Sequence, residues 1–279
     1  MLSTKEETIL KIGLPRYLNT LPLRYYLKAS PRLKIVLLPP REINLALDRG
    51  DLDAGLASSL FYAKNFRNFY ILPDLSISAV GKVKSVILYH RVSLRELDNK
   101  NLGITPETET SFGLLRIILE EFYKVFPHYK FLDKPLSEIG VNHQELEGYL
   151  AIGDEALLFE KKDYFPYSTD LAEIWLEKTQ FPFVFALFIL RKEVIKDKKS
   201  LVKGFLKNIY FSRAKGLSSL EKLVRLSGIN LDKDFALNYL KHLEYDFSGL
   251  KQRAFLYFCE LLAKRGILQE IPVLNFFSL

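Results

Sequence analysis

The chain has 279 residues, 48% hydrophobic, 13% aromatic and 26% charged, enough for one large domain or two lobes and too rich in aromatics for a disordered chain. Its formal net charge is +7, but basic residues alternate with acids, as in PREINLALDRGDLD, where a nucleic-acid surface would gather them into a patch. The excess therefore reads either as a mild field for small anions or as a solubility charge, and no nucleic-acid partner is expected.

Strand and helix signals alternate over the first ninety residues. KIGL reads as a strand, and LPLRYYLKA as a helix with Pro22 in its first turn, where a missing N–H costs nothing. KIVLLP is a second strand, and PREINLALDRG a helix with Ile43 and Leu47 on one side and Gly50 as its stop. DAGLAS and KSVILYHR are further strands. Strands separated by helices predict crossover connections and a mostly parallel sheet.

A second pattern begins near Asn99. NLGIT is a strand, followed by the polar loop PETETS and the helix FGLLRIILEEFYKVF, with Leu114, Leu115, Ile118, Phe122 and Val125 on one face. HYKFL and GYLAIGD are strands, DLAEIWLEKTQ a helix, and PFVFALFIL a long strand. The rest is helical, and helices without strands of their own need a sheet to cover. This predicts an α/β fold of two lobes, with the chain crossing near Arg91 and returning near Phe188. The lobes would be residues 1–92 with 188–279, and 93–187. That is the architecture of type II solute-binding proteins, whose ligand lies between the lobes at the carboxyl ends of strands.

Three strand-end loops there combine hydroxyl or amide residues with a helix start: Tyr17-Leu18-Asn19-Thr20, Ala57-Ser58-Ser59, and TPETETSFG with Thr110 and Ser111. Helix N-termini attract carboxylates and phosphates, and Ser and Thr are also ordinary N-caps, so each loop admits both readings. Thr20 is expected to cap. Asp154 in GDEALL either faces the cleft or caps the next helix. Lys82 and Lys84 are expected to face solvent.

Other chemistries lack their signatures. His90, His128, His143 and His242 show no metal-site spacing, and the single cysteine, Cys259, falls on an apolar helix face and suits the core, so no metal is expected. No GxGxxG, GxxxxGK[ST] or Gly-x-Ser-x-Gly stands in the chain, so neither a nucleotide cofactor nor a hydrolase elbow is implied. MLSTKEETILKIG has no apolar h-region, and TQFPFVFALFIL is too short to span a bilayer. A soluble, cytoplasmic protein with no membrane partner is expected.

The blocks IGLPRYLNTLPL, RGDLDAGLASSLFY, GKVKSVILYHR, TSFGLLRIIL, AIGDEALL, DLAEIWLEKTQFPFVFALF and YLKHLEYDFSGLKQRAFLYFCELL together resemble the chorismate dehydratases of menaquinone biosynthesis by the futalosine pathway, in order and over nearly the whole chain. The resemblance implies the two-lobed binding-protein fold and a cofactor-free hydro-lyase that converts chorismate, a small dianion, to 3-[(1-carboxyvinyl)oxy]benzoate. It implies Asn19 and Ser85 against the reacting ring, Tyr17 packed on it, and Ser59, Thr110 and Ser111 holding carboxylates, with Asp154 nearby. With no evident base in the signature loops, the substrate's own enolpyruvyl carboxylate is expected to take the proton.

Two positions depart from the pattern. Arg16 stands where the family usually has Ser; it either reaches a substrate carboxylate or points to water. Phe61 replaces an acid in the run Ser58-Ser59-Leu60-Phe61-Tyr62. The alternatives are the sister 1,4-dihydroxy-6-naphthoate synthase, whose Cys-Pro-Asn-Asp loop is absent here, and a cytosolic protein that binds an aromatic carboxylate unchanged.

Overall fold

The computed structural model describes residues 8–139, 145–159 and 165–278, so His143 lies outside the described residues. The first α/β run is β1 (Leu10–Pro15), α1 (Leu21–Arg24), β2 (Leu33–Leu38), α2 (Pro40–Arg49), β3 (Ala54–Ser58), α3 (Ser59–Asn65) and β4 (Phe69–Ala79). The second is β5 (Val86–His90), β6 (Asn101–Ile104), α4 (Thr110–Arg116), β7 (His128–Phe131), α5 (Leu136–Ile139), β8 (Gly148–Ile152), α6 (Gly153–Leu158), β9 (Tyr167–Asp170) and α7 (Leu171–Thr179). The chain then runs through β10 (Phe183–Arg191), α8 (Ile195–Leu217), α9 (Leu220–Leu226), α10 (Lys233–His242), β11 (Leu243–Glu244) and α11 (Gly249–Lys264).

The strands form two sheets, ordered β11-β4-β10-β3-β1-β2 and β7-β6-β8-β5-β9. Both are mixed, which corrects the expectation of mostly parallel sheets. In the first, β1 pairs in parallel with β2 and β3, while β10 lies antiparallel between β3 and β4. In the second, β6 pairs in parallel with β7 and β8, while β5 lies antiparallel between β8 and β9. The reversed central strands β5 and β10 are the ones by which the chain enters each sheet from the other.

The crossings therefore differ from the expected ones. The chain leaves the first sheet between β4 and β5, at residues 80–85, and not near Arg91; it returns at residues 180–182, and not near Phe188. All of β5 belongs to the second sheet and all of β10 to the first. Strand β4, with eleven residues, went unassigned from the sequence because Pro73 and Asp74 interrupt it. Asp74 takes a φ of 54°, and the pairing with β10 shifts register there, so one apolar strand reads as two fragments and a turn. Strand β9, YSTD, carries no apolar signal at all. The predicted helix LPLRYYLKA forms only the single turn α1.

Burial follows the pleat. Leu88, Leu102, Ile104, Leu150 and Ile152 turn one face of the second sheet into the main core, while Ile87, Tyr89, Tyr149 and Ala151 face a smaller cluster. Beyond α4 the helix widens into a π-helical stretch, Ile117–Tyr123, whose Ile117, Ile118 and Leu119 are all buried. In the C-terminal part, α8 packs on α1 and β1, and α11 on β10 and α3, so these helices cover the first sheet. No described helix is long and apolar enough to cross a membrane.

Candidate functional site

The carboxyl ends of β1, β3, β6 and β8 converge on a cleft partly open to solvent. Its walls include Pro15, Tyr17 and Asn19 after β1, Ser58 at the end of β3, Glu107 through Ser111 after β6, Gly153 after β8, and Ser85 from the crossing segment.

The first loop is pinned from beneath. The Thr20 hydroxyl donates to Pro15 O at 2.7 Å, has the Tyr17 carbonyl at 2.9 Å, and accepts from Arg24 Nε at 3.0 Å. It makes no side-chain cap to helix N–H groups, which corrects the expected role. Thr20 ties the loop to the strand end and so holds Asn19 over the cleft. Tyr245 donates to the Asn19 carbonyl at 2.9 Å, while Asn19 Oδ1 is buried with no hydrogen-bond partner among the described residues. An orphaned buried acceptor in a cleft wall is costly unless a ligand uses it.

Ser85 sits opposite, in the segment that crosses between the sheets. Its placement early in the predicted strand gave no reason to expect it here; the crossing brings it in. Lys84 beside it takes a φ of 63° and donates its N–H to Asp170 Oδ2 at 2.6 Å. The Lys84 side chain is half-buried, its amine 5.4 Å from the centre of the Phe235 ring, and only Lys82 is exposed as expected. Ser85 Oγ accepts from the Tyr239 hydroxyl at 3.1 Å. Burial pushes the Tyr239 phenol well above its usual value, so it stays protonated and donates. The Ser85 proton is thereby left free to point elsewhere.

Tyr17 crosses the cleft mouth. Its hydroxyl donates to Glu107 Oε2, and its ring lies against Gly153, where an added Cβ would come within 2.8–3.0 Å of three ring carbons. Gly153 also has a φ of 60° and donates its N–H to Ser85 O at 2.8 Å. Burial, then the Glu107 charge, holds the Tyr17 phenol far above its usual range.

The other expected residues divide. Thr110 and Ser111 line the cleft, and Thr110 Oγ1 accepts the Leu60 N–H from α3 at 3.0 Å. Ser59 is fully buried, donates to Val184 O at 2.7 Å and lies outside the cleft walls; Ser58 takes the wall position and caps α3 through the Phe61 N–H. Arg16 is exposed and donates to Leu37 O at 3.2 Å, away from the cleft. Asp154 accepts the Leu18 N–H at 3.0 Å, so it fixes the first loop from the opposite lobe and is neither a wall residue nor a cap.

Four participants were missed. Glu107, Thr108 and Glu109 stand in TPETETS, where only the residues at the helix start drew notice; all three line the cleft, and Thr108 Oγ1 is a second buried atom without a partner. Tyr239 arrives on α10 by long-range packing, which no local signal announces. Among the described residues the lining holds two carboxylates and no cation, so an anionic ligand would rely on hydroxyls, amides and backbone N–H groups.

Comparison with known proteins identifies the family and the fold. The sequence model of the menaquinone biosynthesis family fits residues 10–264. The chain belongs to that family. A chorismate dehydratase of Thermus thermophilus is 30% identical over 262 residues, covering 86% of this chain and 92% of its own. Among solved structures, an Archaeoglobus fulgidus protein superposes with a TM-score of 0.70 at 16% identity, over 95% of this chain and all of that one. The alkanesulfonate-binding protein SsuA of Xanthomonas axonopodis pv. citri, bound to MOPS, superposes at 0.64 with 14% identity over 96% of each chain. The fold is that of the periplasmic binding proteins.

Proposed function

We propose that this family member is a chorismate dehydratase, a hydro-lyase that forms 3-[(1-carboxyvinyl)oxy]benzoate. The reaction removes the hydrogen from the ether-bearing ring carbon and the hydroxyl from its neighbour. Water leaves, the ring becomes aromatic, and the atoms balance with no cofactor. Such a step needs orientation and a modest base more than a strong catalyst.

The observation that carries the reading is the pairing of Ser85 and Asn19 at the cleft wall. With Tyr239 donating to Ser85 Oγ, the Ser85 proton is free to bond the leaving hydroxyl oxygen. The unpartnered Asn19 Oδ1 is free to accept that hydroxyl's proton. The substrate's enolpyruvyl carboxylate takes the ring proton and returns it to the departing hydroxyl oxygen as the C–O bond breaks, so water leaves and the carboxylate is regenerated. Tyr17, braced by Glu107 and Gly153, packs on the ring, while Thr110 and Ser111 hold a carboxylate, with Ser58 in place of Ser59 on the facing wall.

The experiment is to incubate the pure protein with chorismate and follow the product by mass. A product lighter by one water supports the reading; chorismate bound and unchanged would make this a binding protein. Replacing Asn19 and Ser85 singly by Ala should lower turnover at least tenfold, about 1.4 kcal/mol of lost transition-state stabilisation. Undiminished turnover in both would reject this cleft as the site.

A further inference from the structure

The inner cleft opens into an outer cavity on the α2 side, lined by Arg41, Asn44, Asp48, Phe131 and Asp133 among others. Ser58 and Glu109 line both spaces, so the passage between them runs past these two side chains. At that throat, Glu109 Oε2 accepts from Asn44 Nδ2 at 3.0 Å and from Ser58 Oγ at 3.0 Å, and Lys64 Nζ reaches Glu109 Oε1 at 2.8 Å. All three donors belong to the first lobe, and the carboxylate is delivered by the loop after β6 in the second.

Two of the donors, Asn44 and Ser58, do not depend on Glu109 for their own arrangement, while Lys64 is an exposed ammonium that adds charge. Asn44 is buried on α2, and its Oδ1 accepts the Ser58 N–H at 3.2 Å, which fixes the amide with its Nδ2 toward the throat. Ser58 is fixed in turn as the cap of α3. The amide and hydroxyl, held on packed elements, and the ammonium beside them form a cradle for a carboxylate. Glu109, by contrast, comes from a loop and is 28% exposed at its side chain, so it can withdraw.

We infer that Asn44, Ser58 and Lys64 form a carboxylate seat at the throat, which Glu109 fills in the free protein and yields to a carboxylate of the incoming ligand. The ligand class is a dicarboxylate carried on a six-membered ring, of which chorismate is the unsaturated and isophthalate the aromatic example. This deepens the dehydratase reading and rests on it for the choice of ligand. Because the chain's own carboxylate competes for the seat, the apparent affinity for ligand falls by the fraction of time the seat is open.

The test is calorimetric titration with isophthalate, an aromatic dicarboxylate that cannot be dehydrated, so binding is read apart from turnover. Glu109→Ala should bind isophthalate about tenfold more tightly than the wild type, and Glu109→Gln by a smaller factor, since its amide oxygen competes less well. Ser58→Ala placed on Glu109→Ala should erase the gain. Asp133→Asn, which removes a charge from the same outer cavity without touching the seat, should give a much smaller gain. A gain that survives Ser58→Ala, or that Asp133→Asn equals, overturns the seat in favour of general electrostatics. Weaker binding by Glu109→Ala also overturns it, because Glu109 would then clasp the lobes around the ligand. If the wild type leaves chorismate intact while Glu109→Ala tightens isophthalate, the dehydratase reading fails and the seat stands.

Discussion

The Tyr239 hydroxyl donates to Ser85 Oγ at 3.1 Å inside a fully buried pocket of the C-terminal helices. Tyr239 does not line the cleft, so its effect on a ligand passes through Ser85. Tyr239→Phe keeps the ring's packing and removes the hydroxyl that bonds Ser85 and also meets the Asn19 side chain, at about 1 kcal/mol of stability or more. Without that donor Ser85 Oγ loses its anchor, and its proton can rotate away from the leaving hydroxyl. Turnover should fall about tenfold with KM nearly unchanged, a split that general loosening of the fold would not produce. Steady-state kinetics beside a thermal melt checks both halves; a KM effect alone would contradict the positioning role.

Gly153 meets two demands at once, a φ of 60° and the Tyr17 ring against its Cα. Gly153→Ala imposes roughly 1–2 kcal/mol for the left-handed backbone, before any displacement of the ring. The melting temperature should drop a few degrees, and KM should rise as Tyr17 is pushed from Glu107. In Tyr17→Ala the ring is gone, so adding Gly153→Ala should cost less than the sum of the two single changes. Additive losses would mean that the contact carries no energy.

Asp154 shows how the two lobes share the first loop. Burial raises its carboxyl above the ordinary value; the Leu18 N–H and the Arg24 charge pull the other way without cancelling it. The folded protein therefore binds this proton more tightly than the unfolded chain does. That contribution is fully present below the ordinary value, about 3.9, and is lost as pH rises to the raised one. Asp154→Asn keeps an oxygen for the Leu18 N–H and carries no charge. The variant should be more resistant to urea than the wild type at pH 7, with the difference shrinking at pH 3.5. A difference that stays constant between the two pH values would contradict the burial argument.

Much of this was legible locally. Strands such as DAGLAS and PFVFALFIL read as buried from composition alone, and the strand-loop-helix grammar of RYLNTLPL marked its loop as a cap or a ligand wall, with Asn19 singled out only by the family resemblance. What failed was long-range. Whether β5 and β10 belong to one sheet or the other depends on their pairing partners, which leave no mark in either strand. Ser58 and Ser59 are neighbours of the same type, and only the strand-to-helix junction between them decides that Ser58 faces the cleft while Ser59, the first residue of α3, turns to Val184. Glu109 sits on a loop whose partners Asn44 and Lys64 come from two other elements.

Helix α8 offers the same substitution twice with opposite expected signs. Gly204 is exposed, and a Cβ there would meet nothing within 4 Å. Gly204→Ala should gain up to about 1 kcal/mol from helix propensity alone. At Gly216 a Cβ would stand 2.2 Å from Pro22 O and 2.6 Å from Pro22 Cα, because α1 crosses α8 backbone to backbone. The same propensity gain is present at Gly216, but overpacking against a backbone that cannot rotate away costs about 1–3 kcal/mol or more, so the clash wins. Pro22 follows Asn19 by three residues, so relief of the clash moves the cleft loop as well as the helix. Gly216→Ala should melt lower than the wild type and raise KM, while Gly204→Ala should melt higher with kinetics unchanged. Two shifts of the same sign would show that α1 does not sit on Gly216 in solution.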